Sequence, residues 1–134
     1  MEFSLILVGA VLVACLVPLL VWWRMRSRWR VAAADVRRMR RAWQEASAIT
    51  DVHRRVLEAE KVFEMLLQTW GLEGTFAQKF TKVEWRFPER EIVWQAHRLR
   101  NRIAHDVGMR LSDAEARRAV DAFGKALSRH LPLS

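Results

Sequence analysis

Only one cysteine, Cys15, stands among the 134 residues. No disulfide can therefore form within the chain, and no cysteine-based metal set is available. Cys15 falls in an apolar run and reads as a small hydrophobe. Charge is missing altogether from Phe3 to Trp23, FSLILVGAVLVACLVPLLVWW, a run of 21 residues. Acid is nearly missing from the next segment: Arg24 to Arg41 holds eight arginines against Asp35 alone, a net +7. Glycine and proline are absent between Val31 and Ala48. No stretch alternates as a half-buried strand would, and no segment repeats. These absences exclude a disulfide scaffold, a β-rich domain and a repeat array.

As a helix the uncharged run measures roughly 30 Å at about 1.5 Å per residue, the thickness of a bilayer core. It is expected to be a transmembrane anchor over residues 1–23, in contact with the membrane through 3–23. A secretory signal would place positive charge before the run and a small-residue cleavage site after it. Here Glu2 precedes the run, and Arg24, Arg26, Arg28 and Arg30 come after it. The positive-inside rule then implies a single-pass protein of the cell membrane, with its N-terminus outside and its C-terminal domain cytoplasmic. A basic juxtamembrane helix is expected over 24–48, with Arg24 to Arg41 near anionic lipid headgroups. Capture of RNA by the same arginines is the competing reading. From Ala42 onward 15 basic residues face 13 acids, leaving +2. The pI near 11.1 thus reports the arginine run and is no sign of a nucleic-acid-binding domain.

The remaining 49–134 should fold as a small bundle of about four helices, so the fold class is all-α with an N-terminal transmembrane helix. Thr50 is placed to cap a helix whose stripe is Val52, Val56, Ala59, Phe63, Leu66, Leu67 and Trp70. Gly71 and Gly74 end it. Thr75 with Gln78 makes a capping box for a short helix over 76–85 that buries Phe76, Phe80 and Val83. Pro88 suits a first helical position, and Gly108 the position after that helix ends. Ser112 with Glu115 makes a second box, opening a helix to about His130 that buries Ala116, Ala119, Val120, Phe123 and Leu127.

The segment HRLRNRIAHD, His97 to Asp106, raises the question of chemistry. At about 100° per residue, Ile92, Ala96, Leu99 and Ile103 form a core face, with Val93 at its edge. His97, Asn101 and His105 line the opposite side, and Arg100 falls between. The plain reading is a helix with one packed and one solvated face, His105 being favoured near the C-terminus when protonated. Two imidazoles on one face raise the question of a metal, but no carboxylate or cysteine completes a set. Glu60, flanking the stripe of the first bundle helix, is an acid that could pair with Arg100, although a solvated position is the more ordinary one for a glutamate.

Arg100-Asn101-Arg102-Ile103-Ala104-His105 resembles the signature of the HEPN superfamily: an arginine, a polar residue, three residues and a histidine, late in a helix of a small all-α bundle. The resemblance covers roughly Thr50 to Leu131. It implies a homodimer and, in active members, metal-independent RNA cleavage where arginine and histidine of two protomers meet. In that role His105 would be the acid or base at the ribose 2′-OH. Arg100 would hold the phosphate, and Asn101 would orient either group. No cofactor is implied. Arg100 and His105 stand about 140° apart on one helix, so a single copy does not bring them together. Other HEPN-like domains are non-catalytic dimerisation or docking modules with a protein partner, and that is the alternative.

Overall fold

A computed structural model describes residues 2–27 and 29–133, and the side chains of all these except 2–7, 9, 10, 25 and 26. Every regular element among the described residues is helical, and the chain divides into two compact units, Met1–Arg30 and Val31–Ser134.

The first unit is helix α1 (Glu2–Ser27), with Pro18 inside it. Among the described residues, no helix is long and apolar enough to cross a membrane. The expectation of a transmembrane helix over 1–23 is corrected accordingly, and with it the single-pass placement in the cell membrane. Cys15 is exposed on α1. Of the arginine run, Arg28 lies outside the described residues, as does the side chain of Arg26.

The second unit holds α2 (Ala33–Ser47), α3 (Val52–Thr69), the short α4 (Phe76–Thr81), α5 (Arg90–His105) and α6 (Asp113–Ser128), with a 3-10 turn at Glu84–Arg86. It begins at Val31, so α2 is a bundle element. Its Met39 and Ala46 are buried, and it packs along α3. Arg37, Arg38 and Arg41 are exposed, while Arg40 Nε donates to the Pro132 carbonyl at 2.8 Å.

Local sequence explains most boundaries. Asp51, one residue beyond the expected Thr50, caps α3 by accepting from the Arg54 amide at 2.8 Å. Gly71 follows at φ 74°, a conformation that costs glycine little. Both capping boxes form, Thr75 with Gln78 and Ser112 with Glu115. Pro88 precedes α5 rather than opening it, because Phe87 and Arg90 close turns through Glu84 and Phe87 carbonyls. The buried Glu89 is then held by Arg129, whose Nε donates at 2.7 and 2.8 Å. That hydrogen bond holds the Glu89 carboxyl below the usual glutamate range.

Phe63 on α3 is the centre of the core, with Phe76, Phe80, Phe87 and Phe123 around it at centroid distances of 5.3 to 5.9 Å. All the apolar positions expected on α6 are buried. Gly124 serves a different purpose: a Cβ there would stand 2.7 Å from Trp43 Cζ2, so glycine makes the notch in which α2 rests its indole against α6.

Candidate functional site

The face that α5 turns inward is rotated from the one expected. Val93, Ala96 and Leu99 are buried, whereas Ile92 is 39% exposed. The rotation carries His97 and Arg100 towards α3. His97 has only 12% of its side chain exposed, and its ring stacks on Phe76 at 4.3 Å with 17° between planes.

What makes this burial tolerable is Glu60, 3% exposed on α3. His97 Nδ1 donates to Glu60 Oε2 at 2.8 Å. Arg100 Nε lies 2.8 Å from Glu60 Oε1. The second contact is an ion pair rather than an aligned hydrogen bond, since Nε is buried without an acceptor in line. Arg100 Nη1 donates to Asn101 Oδ1 at 3.4 Å, and Asn101 Nδ2 donates to His97 Nε2 at 3.1 Å.

These four contacts close a ring, Glu60–His97–Asn101–Arg100. Its protonation pattern comes from what each group offers. A guanidinium only donates, so the Asn101 oxygen must face Arg100 and its NH2 must face His97. Nε2 of His97 is then an acceptor, which requires the neutral tautomer with its proton on Nδ1, and that proton goes to Glu60. A carboxylate buried without partners would be strongly destabilising; here both oxygens are engaged.

Of the residues singled out by sequence, the structure thus brings Arg100 and Asn101 together with Glu60. His105 stands apart. It is exposed at the last residue of α5, and its side chain makes no hydrogen bond or ion pair with another described residue. The pairing of Glu60 with Arg100 is readable in the sequence as an option. His97, assigned to the solvated side, is the ring member that hydropathy misses, and stacking on Phe76 has no sequence signal at that separation.

Two further histidines hold parts of the fold. His53 Nε2 donates to the Met109 carbonyl at 2.9 Å, tying the loop between α5 and α6 to the start of α3. His130 packs edge-on to Trp70 and Phe87 at 4.9 and 5.0 Å. Burial, and then the charges of Arg86 and Arg129, lower its pKa below the ordinary 6.5.

Among the described residues, no group of three or more His, Cys, Asp or Glu is placed to hold a metal ion. Chemically, the ring is a structural network in which Arg100 Nε is paired by charge alone, and the reactive-looking His105 lies outside it. Compared with known proteins, the chain matches no family model, no curated protein and no solved structure.

Proposed function

We propose that this chain is a HEPN-like helical module that self-associates and docks a protein partner, with Arg100 and Asn101 holding the fold rather than acting on RNA. The observation that carries this reading is the closure of the ring. Arg100 is committed to Glu60 and Asn101, and Asn101 to His97. Freeing Arg100 for a phosphate would leave the 3%-exposed Glu60 short of a cation.

A second reading, RNA binding with metal-independent endoribonuclease activity, is favoured by His105 itself. It is exposed and unengaged, with Arg98 and Arg102 exposed on the same helix. A second copy would have to supply the phosphate-holding cation, because Arg100 of the same copy is held away.

The discriminating experiment is RNA cleavage by the full chain in EDTA, wild type beside His105→Ala. The module reading expects no cleavage above buffer from either protein. Cleavage by the wild type that disappears in His105→Ala, with helicity unchanged, would establish the ribonuclease and sink the module.

A further inference from the structure

Between α5 and α6 runs a groove of about 460 Å³, floored by Ala96, Leu99, Ala119 and Ala122. Three of these four are alanines, so another helix can approach the floor closely. Along the α6 rim stand Glu115, Arg118, Asp121 and Lys125, in the order minus, plus, minus, plus. Arg118, Asp121 and Lys125 are exposed, and none of their side chains makes an ion pair or hydrogen bond with another described residue. Charges of both signs beside an apolar floor match the polar rim and apolar core of a protein interface.

The order of signs identifies the other half of that interface. Read backwards, the row becomes plus, minus, plus, minus. A second α6 laid antiparallel about a two-fold axis therefore meets the opposite sign at each level. Arg118 faces Asp121 of the other copy, and Glu115 faces its Lys125, each pair occurring twice. A parallel copy would set every charge against its like.

We propose that the α5–α6 groove is the self-association surface of this chain, occupied by the α6 rim of a second copy running antiparallel, with the two-fold axis between Arg118 and Asp121. The proposal rests on the reading of the chain as a self-associating module and names the surface it uses.

Sedimentation velocity on the full chain tests it with four proteins: wild type, Arg118→Glu, Asp121→Arg, and the double variant. Both positions are exposed and unpaired, and circular dichroism checks that each variant keeps its helicity. Each single change creates two like-charge contacts and should weaken the dimer by about tenfold or more. The double variant restores opposite signs and should return to wild-type association. The two single variants, mixed one to one, should form a heterodimer that neither forms alone.

A wild-type dimer indifferent to all these changes would overturn the surface while leaving self-association standing. That result would also arise if α1 alone drove association. A wild type that stays monomeric at concentrations on the order of tens of micromolar would overturn both the surface and the module reading.

Discussion

Substituting Glu60 by glutamine tests the ring most directly. The change is nearly isosteric, so it opens no cavity, but the carboxylate faces two donors, His97 Nδ1 and Arg100 Nε, at 2.8 Å each. An amide has one accepting oxygen and one donating NH2, so one of these contacts becomes donor against donor. An unsatisfied buried donor costs about 1–3 kcal/mol. The lost attraction to Arg100 adds less than about 1 kcal/mol, because that side chain is 31% exposed and solvent screens it. A total of about 1–4 kcal/mol in a unit of this size lowers Tm by on the order of 5–30 °C. Thermal melts by far-UV circular dichroism read this directly. Pairing Glu60→Leu with His97→Phe removes the acid and its main donor together and lets Arg100 turn outward. That double variant should be less destabilised than Glu60→Gln. A shift under about 3 °C for Glu60→Gln, or a double variant worse than the sum of its two single changes, would refute the ring as a stabilising network.

Three other outcomes are expected from the packing. Gly124→Ala, ordinarily worth about 1 kcal/mol of helix stability, should instead destabilise by about 1–3 kcal/mol, since the new methyl would meet Trp43 at 2.7 Å; urea midpoints measure the sign, and Trp43→Ala in the same chain should reverse it. Stability should fall as pH drops below 6.5, because the unfolded chain then takes up a proton on His130 that the folded chain resists. His130→Phe keeps the ring contacts and should flatten that dependence, and equal slopes in the two proteins would exclude His130 as its source. His105→Ala should change stability by less than about 0.5 kcal/mol, as the residue is exposed and unengaged; a larger loss in the same melts would show an undetected structural role.

The parts of this fold that sequence reveals are those whose signals lie within a few residues. Thr75 with Gln78, and Ser112 with Glu115, each contain a whole capping box, and both boxes form. The stripe from Val56 to Trp70 and the apolar face of α6 are buried as periodicity implies. The inward face of α5 is harder to read. Hydropathy alone puts His97 and Arg100 in water, and only Glu60, 37 positions before His97, makes their burial tolerable. The role of α2 is obscured by its arginines, which suggest a separate surface helix, whereas Met39 and Ala46 are enough to seat it in the bundle. The uncharged run of α1 reads from composition as a membrane span, yet among the described residues no helix meets that length and apolarity.

The notch at Gly124 bears on how the chain is made. Trp43 rests there, and Arg40 reaches the Pro132 carbonyl, 92 positions away. Both of these seats lie in α6 or just after it. During synthesis α2 leaves the ribosome before any other bundle helix, yet it lacks these contacts until α6 and the residues just after it have been made. A chain stalled or truncated before α6 has neither anchor and leaves the indole of Trp43 without its berth. Completion of the bundle thus waits for α6, and a chain without it carries an uncovered aromatic.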